Sequence, residues 1–264
     1  MPFDNLKNRI PLMELPVPLS SSCLVLFFVF SMSQTVAANI PPHHPEATKE
    51  RYVANAKITF NDYDDKKAAI TFYDSLQLQQ YGLSKQAWLY AFKGYGKLLR
   101  KGTISNPDII TICDFSLSSR KKRLFIIDLR QGQLVLNTYV AHGRKSGAEY
   151  ARKFSNRTSS HQSSLGFYVT GNTYYGEHGL SLKIEGLDRG FNDNARRRNI
   201  VIHGSEYVGD DFIQDNKFMG RSFGCPAIPA DQTTDIVNVI KNGSCFFIYY
   251  PEKKYIAKSK ILNG

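Results

Sequence analysis

The chain has 264 residues, 42% of them apolar, with a formal net charge of +11. That length suits one large domain, or one domain with a modest appendage, and leaves no room for several large ones; the apolar share suffices for a sizeable core. The charge favours anionic partners such as wall polymer, lipid headgroups or nucleic acid, and disfavours a cationic one.

The first forty residues differ from the rest. Lys7 and Arg9 precede an apolar run, Cys23 to Phe30, and small residues follow, with Val36 and Ala38 at the −3 and −1 positions of a cleavage site. Basic, then apolar, then small is the pattern of a secretory signal peptide, here 1–38. The run is shorter than the roughly 20 apolar residues a membrane span needs, so no stable span is expected after cleavage. Cys23 stands at the start of the run rather than after it, which argues against lipoprotein processing. Export implies a periplasmic or secreted chain and removes nucleic acid as a partner. The leader's Asp4, Lys7, Arg9 and Glu14 cancel, so the positive charge belongs to the mature protein. Residues 39–65 open on the proline-rich "NIPPHHPEATKE" and read as a linker.

Residues 66–106 read as helical. "AAITFYDSLQLQQYG" sets Ile70, Tyr73, Leu76 and Leu78 near one face and closes at Gly82. A second helix starts at Ser84, an N-cap type, carries Ala87, Leu89, Ala91, Phe92, Tyr95, Leu98 and Leu99, and ends at Gly102. From 107 to 264 the period shifts to short β-branched and aromatic runs: "DIITICDFS", "KRLFIIDLR", "QLVLNTYVA", "LGFYVTG", "LSLKIEG", "NIVIHG" and "CFFIYYP". A hairpin is expected through Gln131-Gly132. One helix interrupts the series from about Asp231 to Lys241, with Ile236, Val239 and Ile240 facing inward. The expectation is a mainly β fold, a sandwich or partly open barrel, with an N-terminal helical segment packed on it.

Three cysteines remain after leader removal: Cys113, Cys225 and Cys245. An odd count in an oxidising compartment leaves at least one thiol free. Cys113 and Cys245 lie in strand-like runs and are either a disulfide or two buried thiols. Cys225 sits in "GRSFGCPAIPADQ", between Gly224 and Pro226. A nucleophilic cysteine needs a base to form its thiolate, and His203 closes the strand "NIVIHG" beside Gly204 and Ser205. Gly224 lets backbone approach a substrate, and amides around Phe223, Gly224 and Cys225 are candidates to hold an oxyanion. The bland alternative is a small buried thiol of no chemical purpose. The four histidines beyond the linker, His142, His161, His178 and His203, show no paired-ligand spacing, so neither a metal nor another cofactor is expected.

"VIHGS" (Val201 to Ser205) followed by "GRSFGCPA" (Gly220 to Ala227) resembles the signature of the YkuD-type L,D-transpeptidase catalytic domain family, in its divergent murein L,D-transpeptidase catalytic domain-like branch. "YVAHGRKSG" (Tyr139 to Gly147) and "SSLGFYVTG" (Ser163 to Gly171) are similar to its upstream strand and turn segments. The resemblance spans roughly 108–251 and implies an L,D-transpeptidase-type fold. It implies Cys225 as nucleophile and His203 as base, with Ser222 and Gly224 shaping the nucleophile loop and its oxyanion pocket. Gly204, Ser205, Phe223, Arg221, His142 and Tyr175 are the expected substrate contacts. Two residues depart from the family's pattern: Phe223 stands where most members have His, and Ala227 where an Arg that helps hold a substrate carboxylate is common. Arg221 or a residue of the Arg196–Arg198 run is the expected substitute. The implied activity is acyl transfer on peptidoglycan stem peptides through a Cys225 thioester, with anionic wall polymer as a further partner. The alternatives are a carboxypeptidase or amidase of the same fold, and a wall-binding module without catalysis.

Overall fold

A computed structural model describes residues 66–264. The expected signal peptide and linker lie outside the described residues. Two helices come first, α1 (Lys66–Ser75) and α2 (Lys85–Arg100). Ser84 caps α2 by accepting from the Ala87 amide at 3.2 Å. Trp88, Phe92 and Tyr95 of α2 are fully buried, and Trp88 Nε1 donates to Ala69 O at 2.7 Å, binding the pair of helices together. Helix α1 stops earlier than its pattern implied. Gln77 takes a left-handed φ of 51°, and residues 76–82 continue as turns that still bury Leu78. Ile70, expected inward, is only half-buried; the buried face is made by Ala69, Phe72 and Tyr73.

Eight strands follow: β1 (Ile109–Asp114), β2 (Leu124–Asp128), β3 (Gln133–Thr138), β4 (Gly166–Gly176), β5 (Gly179–Gly186), β6 (Val201–Ser205), β7 (Ala227–Pro229) and β8 (Cys245–Tyr249). They form one sheet in the order β3-β2-β1-β8-β4-β5-β6-β7. Pairings β1–β8 and β6–β7 are parallel, and the rest are antiparallel. The chain leaving β3 bridges the opposite edge, Ala141 to Ala227 and Gly143 to Ser222, so the sheet curls into a nearly closed barrel. The hairpin between β2 and β3 turns at Gly132, whose φ of 61° suits glycine.

Strands β1, β2 and β8 are buried along their whole length. Helix α2 packs on β1 and β8, and so closely on the neighbouring β4 that a Cβ at Gly94 would lie 2.0 Å from the Phe167 ring. Beyond the expected helix after the nucleophile loop, α4 (Thr233–Ile240), three others occur: α3 (Asp210–Asp215), α5 (Lys253–Lys258) and α6 (Lys260–Asn263). In α4 it is Ile236, Val237 and Ile240 that face the core, while Val239 is half-buried. Helices α5 and α6 are tied to the barrel by the buried Asp188 carboxylate, which accepts from the Phe167 amide (2.8 Å), Tyr255 Oη (3.0 Å) and Ser259 Oγ (2.5 Å). Burial raises the pKa of Asp188, and these donors oppose the rise.

Cys113 and Cys245 are both buried and free. In the parallel β1–β8 pair, Cys245 faces Ile110, while Cys113 faces Ile248. A stagger of three residues puts them about 10 Å apart along the strands and on opposite faces, beyond the reach of a disulfide.

Candidate active site

The expected nucleophile loop runs into β7, beside β6. In the parallel β6–β7 pair His203 is level with Ala227, and the chain just after β3 forms the loop's other bank. Ala141 N donates to Ala227 O (2.8 Å), Ser222 N to His142 O (3.0 Å) and Arg144 N to Ser222 O (2.7 Å). Ser222 braces the turn from within: its Oγ accepts from the Gly224 amide (3.0 Å) and donates to Cys225 O (2.6 Å). Gly224 has a φ of +132°, and a Cβ there would lie 2.8 Å from Gln162 O. Its amide is therefore spent inside the loop, which corrects the expectation that it helps hold an oxyanion. Gly224 and Ser222 shape the loop; of the three amides expected to hold an oxyanion, those of Phe223 and Cys225 have no other residue as partner among the described residues.

The Cys225 side chain is half-buried. Its Sγ accepts from the Val201 amide (3.5 Å) and donates to Asn199 O (3.7 Å), and Asn199 is itself left-handed at φ 52°. Burial pushes the thiol pKa up, while the Val201 amide, the Arg198 charge and the Cys225 amide pull it down. Arg198 is the member of the arginine run that turns inward; Arg196 and Arg197 are exposed. Its guanidinium donates to Ser155 O (2.8 Å), Ser160 Oγ (3.2 Å), Gln162 O (2.5 Å) and Ser164 Oγ. Every acceptor is neutral, so the positive charge stays uncompensated beside the thiol. With its donors held this way, Arg198 is an electrostatic neighbour of Cys225 rather than an open carboxylate clamp. The tripled arginine pattern contained no signal for which member would point inward.

His203 is buried on β6. Its Nδ1–H donates to Gly204 O at 2.9 Å, which leaves Nε2 as the basic nitrogen. The ring stacks on His178, from the tip of the β4–β5 hairpin, with centroids 4.3 Å apart. Burial lowers the His203 pKa; the Gly204 carbonyl opposes this, and His178 adds to it. Thiol and imidazole share no hydrogen bond. Sγ lies at the level of Val201, and His203 is two residues on, about 7 Å of strand away on the same face.

The remaining expected contacts divide. Phe223 is 62% exposed and carries Arg144 over its ring at 4.4 Å and His161 edge-on at 4.8 Å. Arg144 also meets His161 Nδ1 at 3.0 Å, so a guanidinium that sequence reading passed over stands at the lip of the nucleophile loop. Arg221 is exposed, donates to Gly147 O at 3.1 Å and lies over Phe218. Gly204 and Ser205 line a cleft of about 670 Å³ together with His178, Glu206 and Tyr207. A Cβ at Gly204 would lie 2.1 Å from Thr233 Oγ1, so that wall requires glycine. Tyr175, 84% exposed on the hairpin, does not line the cleft and projects into solvent. The expectation for His142 is corrected outright. It is fully buried, its Nδ1 accepts from Arg123 Nη2 at 2.8 Å, and its carbonyl supports the loop through Ser222. Burial and the Arg123 charge lower its pKa to about 3, so it is a neutral structural acceptor. Among the described residues no group of three His, Cys, Asp or Glu side chains could hold a metal ion, and no helix is long and apolar enough to cross a membrane.

Solved structures similar to the chain include an L,D-transpeptidase from Mycobacterium smegmatis (8% identity, 54% of this chain and 59% of that one, TM-score 0.34). Another is the L,D-transpeptidase from Xylanimonas cellulosilytica (15% identity, 67% and 93%, TM-score 0.31). A third is the helical cell shape determining protein Pgp2 from Campylobacter jejuni (13% identity, 61% and 57%, TM-score 0.34). The chain thus spans about three-fifths of the mycobacterial protein's length. No curated protein matches the sequence significantly. The L,D-transpeptidase catalytic domain family matches residues 79–249, more than half of the chain and all eight strands. The chain belongs to the L,D-transpeptidase catalytic domain family.

Proposed function

We propose that the protein is an exported cysteine acyltransferase acting on peptidoglycan stem peptides, with Cys225 as nucleophile and His203 as general base. The observation that carries this reading is the setting of the half-exposed thiol. Cys225 lies between the Val201 amide and the Arg198 charge, two strand positions from an imidazole whose Nδ1 is committed and whose Nε2 is basic. Its thiol proton passes to His203 Nε2 as sulfur attacks the carbonyl of an L,D peptide bond. The oxyanion forms beside the Phe223 and Cys225 amides. Collapse breaks the C–N bond, the D-residue leaves with the proton from His203, and a thioester remains on Cys225.

The carboxylate grip expected near the nucleophile is best supplied by Arg144. Ala227 is fully buried within the β6–β7 pairing, where an arginine would have no room. Arg144 sits on Phe223 and, among the described residues, has no acidic partner. Export rests on the leader pattern of residues 1–38, and affinity for anionic wall polymer on the +11 charge. A hydrolytic outcome is the second reading, favoured by the absence of an arginine at Ala227. The test is mass spectrometry of the purified protein after exposure to a carbapenem-type β-lactam and to muropeptides. A covalent adduct and crosslinked dimers are expected, and both vanish in Cys225→Ala. Shortened monomers alone support the hydrolase, and activity surviving Cys225→Ala overturns the cysteine mechanism.

A further inference from the structure

We infer that His178, in the turn of the β4–β5 hairpin, is a positioning residue for His203: its ring lies on one face of that imidazole and fixes the plane in which Nε2 is presented. This rests on the acyl-enzyme reading above and adds a residue that acts through its base.

Two holds of different kinds meet on the His203 ring. The Nδ1–H bond to Gly204 O (2.9 Å) ties one corner, and a single hydrogen bond tolerates a range of ring tilts. The His178 ring, 4.3 Å away between centroids and within 22° of parallel, opposes that tilt. His203 is 3% exposed, whereas His178 stays exposed, so burial of its own surface does not explain why His178 lies there.

The hairpin is built to deliver that ring. Gly176 pairs with Gly179 around Glu177 and His178, and Gly179 closes the turn with a left-handed φ of 71°. Ser181 Oγ donates to Gly179 O at 3.2 Å, and Lys183 lies over the Tyr174 ring at 5.5 Å, which stiffens the arm. An extra residue in β4 between Thr170 and Thr173 shifts the register, and a bulge of this kind bends its strand and re-aims the side chains beyond it. The β5–β6 ladder ends at the pair Ser181–His203, so the tip extends past β6 from the level of His203 itself.

The same contact carries a charge rule. When Nε2 takes the thiol proton, a second positive charge on His178 would stand only 4.3 Å off, so His178 acts as a neutral ring. The other titratable groups around the tip are Glu177 beside it and Glu206 and Tyr207 in the adjoining cleft. Of the charged groups, His178 is the one whose field lowers the His203 pKa.

The test is stopped-flow acylation of the purified protein by a carbapenem, across the acid limb and its plateau. Maximal rate is separated from the half-saturating concentration. His178→Ala should lower the plateau rate about fivefold, the middle of the range for an aromatic pair, at an unchanged half-saturating concentration. His178→Phe keeps a flat ring and drops the titrating group. It should recover most of that loss, while its acid limb moves up towards pH 6.5 because the lowering field is gone. Nitrogen NMR of the histidine-labelled protein reads the His203 titration without turnover and should show the same upward move. A wild-type plateau in His178→Ala, or a His178→Phe no faster than His178→Ala, overturns the positioning role. An unmoved His203 midpoint in His178→Phe overturns the contact. A wild type that forms no adduct removes the acyl-enzyme reading, and the positioning role with it, whatever the midpoint.

Discussion

At the level of single side chains, the resting thiol and imidazole are both neutral, and the cause is the same for each. Burial penalises the charged form, raising the Cys225 pKa and lowering that of His203. The pair is therefore a thiol and a neutral imidazole rather than a preformed ion pair, and in the proposed mechanism proton transfer accompanies attack. The sign of the pH dependence follows. The proposed mechanism needs neutral His203, whose pKa lies below the ordinary 6.5, so the acid limb of kcat/KM for acylation should fall below pH 6.5. A stopped-flow pH profile with a carbapenem checks this, and a limb above 6.5 contradicts it. The proposed pair, Cys225 and His203, could be singled out in the sequence because Gly-Cys-Pro and a strand-ending His-Gly are local features. Arg198 and Arg144 were not, because their roles depend on acceptors at Ser155 to Ser164 and on the ring of Phe223, all distant in sequence. His142 was misread for a related reason: its partner Arg123 is buried and distant in sequence, and the pattern "VAHG" does not announce it.

At the level of elements, the nucleophile loop is a turn wedged between two segments. Gly224 packs against Gln162 O and, at 3.1 Å from its would-be Cβ, Arg198 Nη2. Gly224→Ala meets both that crowding and an unfavourable φ, so it should cost about 2 kcal/mol. It should also slow acylation, because the loop must shift to fit the methyl group. Thermal denaturation and adduct formation measure the two effects separately, and a variant with wild-type values for both would contradict the wedge. The longer strands were readable from β-branched and aromatic runs. Strand β7 was not: three residues, one of them a proline and another preceded by one, carry no periodic signal. Helices α5 and α6 are short and polar, and what holds them is Asp188, some seventy residues earlier in the chain (sequence separations of 67 and 71).

At the level of the whole molecule, the barrel closes where buried Arg123 and His142 meet. Arg123 donates through Nε to Val140 O (3.0 Å) and through Nη1 to Leu117 O (3.0 Å), and burial lowers its pKa to about 10. His142 has a folded pKa of about 3 against an ordinary 6.5, so between those values the unfolded chain binds the extra proton. Its contribution to stability is complete above pH 6.5 and is lost progressively as pH falls towards 3. Urea titrations at pH 7 and pH 4.5 should show wild type losing roughly 2–3 kcal/mol more than His142→Gln over that interval. Equal losses in the two proteins would contradict the assignment. The nearly closed form was only partly foreseeable, since a sandwich and a barrel share the same strand patterns. The distinction rests on two bridges, Ala141 to Ala227 and Gly143 to Ser222, formed by residues outside the β3 run.

Those two bridges have a kinetic meaning. They join the free edges of the sheet through the same residues that hold the Cys225 loop, so any fluctuation that parts the edges also dismantles the candidate site. The Ala141 amide, which donates to Ala227 O, is then a reporter for both events. Its hydrogen-exchange rate reads out the free energy that keeps Cys225 aimed, and a ligand that fills the centre should slow that exchange without touching the amide itself.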